Sequence, residues 1–369
     1  MISHIRLYFI YLRVLSHKQT MKNIVKYIFF AAAVLVSASC ARIVSEGANT
    51  GNKRYLDAWL KINNIPESSK IGRGVYVIEY DQVNEGLKVA ADGYAIVEYK
   101  TTDLEGNISD YTDAETAKQM GVYSPANYYG PQVWTTTAET IRAGLFDGIN
   151  GMKVGERKKF IVPTWLMSYQ NYATEQEYLN QVTDLSTSIF EVEVKDFTLD
   201  INQWQFNHMV RKFNEDDFYG GRFKGTTIED TTGVAFGMFY KTLEEVAVEE
   251  AFSNDTTVYI NYTGKLLNGL IFDTNIERVA LDNDIYSSSK TYEPVPVEWG
   301  EEYSDLTLDG SEVIAGFSKT LMQMAKLRKG SKGLGMFYSE LGYSYSGSTN
   351  IPGYSPLIFE IEFVAKPEE

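Results

Sequence analysis

Hydrophobic and polar positions alternate with a period of two in TVYINYTGKLLNGLIFD, residues 257–273, where Val258, Ile260 and Tyr262 are separated by polar residues. That period predicts a strand with one buried face. Asn268-Gly269 then predicts a tight hairpin, because both residues tolerate positive φ. The return strand places Phe272 and Asp273 ten and eleven residues after Tyr262. In VIAGFSKTLMQMAKLRKG (313–330), Phe317, Leu321 and Met324 fall at i, i+4 and i+7. This spacing predicts a short helix over 317–324 with one apolar stripe. Lys326, Arg328 and Lys329 suit its carboxy-terminal dipole end, and Gly330 is its expected stop. MFYSELGYSYSG (336–347) reads as a strand leaving through Leu-Gly-Tyr. IPGYSPLIFEIEFV (351–364) reads as a Pro-Gly turn feeding a strand of alternating Leu357, Phe359, Ile361 and Phe363.

The same order of elements occurs once before. Aromatic-rich helical stretches come first, KRYLDAWLKIN (53–63) and NQWQFNHMVRKFN (202–214). Glycine-led strands follow, GVYVIEY (74–80) and GVAFGMFY (233–240). The core strands lie at 94–110 and 258–273, the helical segments at 141–163 and 313–338, and the closing strands at 187–197 and 356–366. Tyr99 then corresponds to Tyr262, Gly144 to Gly316 and Phe190 to Phe359. The expected fold class is α+β, with two domains, each a twisted antiparallel sheet curled around a short helix. The expected domains are 54–200 and 231–369, joined by a linker helix within 201–230.

Composition narrows the chemistry. The chain carries a net charge of −15, and its first 39 residues hold five Lys or Arg and no acidic residue, so without them the charge is −20. Such a surface repels phosphate backbones, and nucleic acid is not an expected partner. Cys40 is the one cysteine, so no internal disulfide is available. His4 and His17 lie in the leader, which leaves His208 as the one histidine beyond Cys40. No His/Cys metal cluster follows from that inventory, and no cofactor is expected. Shape and apolar surface are favoured over an activated nucleophile.

YIFFAAAVLV (27–36), preceded by Lys22 and Lys26, has the proportions of a signal-peptide core and is too short to span a bilayer. Ser37, Ala38 and Ser39 lead into Cys40, which resembles a bacterial lipoprotein signal with Cys40 as the lipidated first residue of the mature chain. The expectation is a lipid anchor in a cell envelope, on the periplasmic side or the cell surface. Met21 opens a leader of ordinary length, so 1–20 is expected to be an over-called start. Residues 40–53 read as a flexible tether.

Taken in order, the hairpin 257–273, the helix after Val313-Ile314, the Leu-Gly-Tyr exit and the last strand resemble the FKBP-type peptidyl-prolyl isomerases. The resemblance covers about the last 130 residues. It implies a domain that turns X-Pro bonds in polypeptide clients without nucleophile, base or metal; the alternative is a non-catalytic FKBP-like binding module or holdase chaperone of the cell envelope. It implies Tyr262, Phe272, Asp273, Tyr343 and Phe359 as catalytic-site residues. Val295, Val313, Ile314, Phe317 and Ile351 would bind substrate, Tyr343 through a hydroxyl to the substrate carbonyl. Phe317 stands where the family usually has Trp, and Val295 where an aromatic wall is usual. In the first copy Ser109, Leu145 and Met167 take the places of Phe272, Phe317 and Tyr343, while Tyr99, Asp110, Ile141 and Phe190 remain. That copy is expected to fold alike and to isomerise weakly or not at all. Residues 274–293, 301–312 and 111–139 read as insertions that extend the groove, select substrates or cover the pocket.

Overall fold

The computed structural model describes residues 48–168, 172–180, 186–215, 224–225 and 237–368. The expected signal segment and Cys40 lie outside these residues.

The first domain runs through α1 (Ala48–Ile62), β1 (Lys70–Ile71), β2 (Val75–Asp81), β3 (Tyr94–Thr102) and β4 (Ile108–Tyr111). It continues through α2 (Ala114–Gln119), β5 (Gln132–Thr135), α3 (Ala143–Ile149), β6 (Arg157–Val162), α4 (Glu175–Leu179) and β7 (Ser188–Thr198). After α5 (Ile201–Glu215) come β8 (Lys224–Gly225), β9 (Met238–Glu244), β10 (Thr257–Leu266), β11 (Ile271–Thr274) and α6 (Glu277–Asp282). The second domain closes with β12 (Val295–Glu298), β13 (Thr307–Leu308), β14 (Ser311–Glu312), α7 (Ala315–Gln323), β15 (Lys332–Phe337) and β16 (Leu357–Val364).

Both sheets are antiparallel and share one strand order. In the first, β2-β6-β7-β3 leads to β4 and β5, which both pair with β3. In the second, β9-β15-β16-β10 leads to β11 and β12, which both pair with β10. The register repeats as well: Thr101 pairs with Asp110 and Phe190, and Gly264 pairs with Asp273 and Phe359. The two-copy α+β expectation therefore holds at the level of individual residue pairs.

Each sheet covers one short helix, α3 or α7, on its concave side. The close approach is made by glycines. A Cβ on Gly144 of α3 would lie 2.2 Å from Val162, and one on Gly316 of α7 would lie 2.2 Å from Phe337. Val162 pairs with Ser188, and Phe337 with Leu357, so these are equivalent places in the two copies. One turn further the two copies solve the same packing problem in opposite ways. In the second, Gly335 on the strand makes room for Thr320 on the helix, while in the first Gly148 on the helix makes room for Phe160 on the strand. In each copy a glycine on one element admits a side chain from the other, so the contact closes without overpacking.

The opposite face of each sheet is closed by the helix that precedes it. Leu56 and Leu60 of α1 pack with Tyr76, Ile161 and Ile189. Phe206, Met209 and Val210 of α5 pack with Phe239, Met336 and Ile358. Gln205, fully buried, makes two hydrogen bonds to Ser339: its Nε2 donates to Oγ (3.0 Å) and its Oε1 accepts from the backbone N–H (2.7 Å). Trp204 Nε1 donates to Asp196 of β7, 2.9 Å away, so α5 is tied to both sheets. His208 lies against Trp204, ring centroids 4.0 Å apart, and its Nδ1 is 2.9 Å from the Trp204 carbonyl oxygen.

Two expectations are corrected. The tether was expected to reach residue 53, but α1 starts at Ala48, because buried Asn49 donates to the carbonyl of Tyr178 (3.0 Å) and extends the helix onto the domain. Gly330 is not the stop of α7, which ends at Gln323. The segment beyond it instead pairs with 246–248, Val248 N–H donating to Lys326 and Arg328 N–H to Val246. Gly330, at φ +90°, serves the turn into β15.

Lys158 of β6 is buried over the Tyr80 ring and donates to the Gly148 carbonyl at 2.8 Å. Burial pushes its ammonium down from 10.5 to about 8. The unfolded chain therefore holds a proton that the folded chain has shed between those values, and folding stability rises with pH across that window. Lys158→Met is expected to remove this rise. Denaturant midpoints at pH 7, 8, 9 and 10 in both proteins test it; parallel curves would be the failing result.

Candidate active site

The site of the second domain forms on the concave face of β10, β11 and β16, beneath α7. Tyr262 and Gly264 lie on one face of β10 at period two, and Gly264 pairs with Asp273. Asp273 is thus diagonal to Tyr262, within reach of a long side chain. The Tyr262 hydroxyl donates to Asp273 Oδ2 at 2.9 Å. Burial first, then the Asp273 carboxylate, pushes the Tyr262 hydroxyl well above the usual tyrosine range. It stays a donor at any physiological pH.

Phe359 faces the same way and is flanked across the sheet by two glycines, Gly264 on β10 and Gly335 on β15. A Cβ on Gly264 would lie 2.7 Å from Phe272 and 2.8 Å from Phe359. The missing side chain lets the rings of adjacent strands meet over the backbone. Phe272 stands edge-on to Phe359 at 5.6 Å, and Phe317 of α7 at 5.1 Å and 88°. Tyr262 meets Phe317 at 5.7 Å and 85°. Such right-angled contacts set positive ring edges against negative faces.

Val295, Val313, Ile314, Ile351 and Tyr343 complete the same apolar cluster. Val295 comes from β12 opposite Ile260, and Ile314 caps the start of α7. Tyr343 and Ile351 come from the loop before β16, which closes on itself through Gly347 N–H to Tyr343 O and Ser348 N–H to Ile351 O. Burial, then the Asp273 charge, also raises the Tyr343 hydroxyl. All ten residues expected from the sequence therefore come together.

The sequence reading missed Lys290. It lies in the 274–293 insertion, and its ammonium pairs with Asp273 Oδ1 and sits 5.7 Å over the Tyr262 ring. This insertion thus reaches the mouth of the site, whereas 301–312 forms β13 and β14 and widens the sheet instead.

The first domain keeps part of this plan. The Tyr99 hydroxyl donates to Asp110 at 2.8 Å, and burial raises it in turn. Leu145 occupies the helix position of Phe317, and Arg142 the cap position of Ile314. Trp134, on β5 within the 111–139 stretch, contacts Tyr99 at 5.0 Å and Phe190 at 6.4 Å. The sequence reading passed over it as part of an insertion, although QVWT after Gly130-Pro131 carries a turn-then-strand signal. Above these residues lies a cleft of about 710 Å³.

Residues 248–364 match the model of the family described as FKBP-type peptidyl-prolyl cis-trans isomerase. A protein of Haemophilus influenzae named "Probable FKBP-type peptidyl-prolyl cis-trans isomerase" is 33% identical over 140 residues, which span 38% of this chain and 45% of that relative. The chain thus covers less than half of that relative's length. Among solved structures, FkpA from Escherichia coli is 22% identical, with a TM-score of 0.28 over 45% of this chain and 62% of its own. The three FKBP domains of wheat FKBP73 are 15% identical, with a TM-score of 0.27 over 79% and 93%. By its family match, the domain built on residues 248–364 is of the FKBP type.

Proposed function

We propose that this chain is a peptidyl-prolyl cis-trans isomerase whose second domain turns X-Pro bonds in exported polypeptides. The observation that carries the reading is the Tyr262–Asp273 hydrogen bond set among the right-angled rings of Phe272, Phe317 and Phe359. Rotation about a peptide bond faces a barrier of about 18–20 kcal/mol, set by C–N resonance. X-Pro bonds leave cis and trans close in energy but slow to exchange. A catalyst needs only to favour the twisted amide over the planar one. A twisted amide has lost its resonance and is less polar, so a water-poor aromatic site stabilises it relative to the planar form. The rings would hold the proline, and the Tyr343 hydroxyl would orient the carbonyl. Asp273 fixes the Tyr262 ring and is itself held by Lys290.

The first domain would contribute little turnover, because Ser109 and Leu145 replace two ring walls. The leader and Cys40 support a lipid-anchored protein of a bacterial envelope, with proline-containing polypeptides as clients; mass spectrometry of the mature amino terminus tests the anchor.

The test is a protease-free proline isomerisation assay on the full chain. Catalysis above the spontaneous rate is expected. Tyr343→Phe is expected to lower kcat/KM by about three- to tenfold, the worth of one hydrogen bond. A rate equal to the uncatalysed one would remove the proposal.

A further inference from the structure

The cleft of the first domain is not closed by that domain alone. Its floor is Ile141, Leu145 and Phe190, and Tyr99 and Trp134 form one wall. The facing wall is Tyr345 and Tyr354, which belong to the second domain. Tyr354 is anchored there: its ring stands edge-on to Tyr94 at 5.4 Å, and its hydroxyl lies 3.1 Å from Thr135 Oγ1. Tyr345 is 71% exposed, a large ring left in water beside an apolar hollow. The loop that carries both is backbone-packed, with Tyr354 N–H donating to Ser344 O at 2.8 Å and a Cβ on Gly353 falling 2.2 Å from Tyr345 O. The aromatic wall is therefore positioned before anything binds.

This loop also supplies Tyr343 and Ile351 to the catalytic site. One loop thus carries Tyr343 and Ile351 of the second domain's apolar cluster as well as Tyr345 and Tyr354 of the junction cleft.

We infer that the junction cleft is a second binding site for unfolded polypeptide, holding a proline- or aromatic-containing stretch of the client whose X-Pro bond is turned next door. The inference rests on the reading that polypeptides are the substrate. The occupant follows from the duplication. The floor repeats the Tyr–Asp pair, the Phe of the last strand and the helix-start apolar positions of the catalytic site. Leu145 lines the cleft at the helix position of Phe317, and the smaller side chain leaves room for a segment bulkier than one proline. At about 710 Å³ it lies within the range of sites that bury ligands. Asp110 and Arg142 give the lining two polar edges among its apolar residues. Two adjacent grips raise the effective concentration of one client at the other site without any new contact.

The test compares the full chain with Trp134→Ala, Tyr345→Ala and the double variant. Affinity for a permanently unfolded polypeptide, reduced and carboxymethylated α-lactalbumin, is read by fluorescence anisotropy. Turnover of the tetrapeptide Ala-Leu-Pro-Phe is read in parallel. Each substitution is expected to raise Kd for the unfolded polypeptide about fivefold or more, as for aromatic anchors, with tetrapeptide kcat/KM unchanged within twofold. Tyr345 is exposed, so its variant keeps the fold, and circular dichroism checks Trp134→Ala. An unchanged Kd in the double variant overturns the inference. So does loss of binding in Phe272→Ala with none in the double variant, since all binding would then run through the catalytic site. If no protein turns over the tetrapeptide, the isomerase reading fails by itself, while the anisotropy arm still decides the cleft.

Discussion

Phe359→Ala is expected to destabilise the second domain by about 3–5 kcal/mol, the largest stability loss of any single substitution at the site. Phe359 is 4% exposed. Its ring meets Phe317 at 5.1 Å, Phe272 at 5.6 Å, Phe337 at 5.9 Å in a parallel stack, and Tyr262 at 6.3 Å. A large ring removed from such a place leaves a cavity unless neighbours move in. The neighbours across the sheet are Gly264 and Gly335, which have no side chain to offer. The hole therefore stays, and its cost adds to the lost transfer energy. Urea denaturation measures it as a lower midpoint at unchanged slope. Phe359→Leu, which keeps most of the volume, is expected to cost much less. A loss under about 1 kcal/mol in the alanine variant would contradict the packing described, given the usual cost of such truncations.

The site was legible where residues lie on periodic elements. The resemblance to the FKBP-type isomerases named Tyr262, Phe272, Asp273, Phe317 and Phe359, and period fixes the faces of Tyr262, Phe317 and Phe359 but does not turn both of the neighbours Phe272 and Asp273 to one site. Once strand order is assumed, those faces converge. Lys290 was not legible, because its approach to Asp273 depends on the path of a loop that no period encodes. Trp134 was missed for a related reason: β5 runs only from Gln132 to Thr135, too short for alternation to register. The Asn268-Gly269 hairpin is present, with Gly269 at φ +91°, and a register shift between Gly264 and Lys265 accompanies it.

The duplication was legible as order, but its physical content needed coordinates. No sequence comparison of Gly335 with Phe160 shows that the helix residue facing each, Thr320 or Gly148, has changed size in the opposite sense. The same holds for α1 and α5. Their apolar spacing marks them as amphipathic, yet the sequence left open which sheet each covers. The early end of α7 illustrates the converse limit. Lys326–Lys329 read as a helix terminus by charge, but their backbone groups find strand-like partners at Val246 and Val248, and tertiary pairing outweighs the local preference.

Phe272→Ala is expected to lower kcat/KM on an X-Pro peptide by about 10- to 100-fold, the equivalent of burying one aromatic side chain against the substrate. The ring is only half-buried, so most of its free face is available to a ligand rather than spent on the core. It lies over Gly264, edge-on to Phe359, one residue from Asp273. Truncation opens that wall to water at the point where the amide must shed its resonance, and water favours the planar, more polar form. Contact with the proline exists before and during rotation, so part of the loss should appear in KM. Part should appear in kcat, because exclusion of water matters most for the twisted amide. Stability should fall far less than in Phe359→Ala, since less area returns to solvent on unfolding. The two variants thus separate packing from catalysis: one loses the domain, the other keeps it and loses turnover. Unchanged kinetics in a folded Phe272→Ala protein would mean that substrate does not lie against this ring, and the site assigned beneath α7 would be wrong.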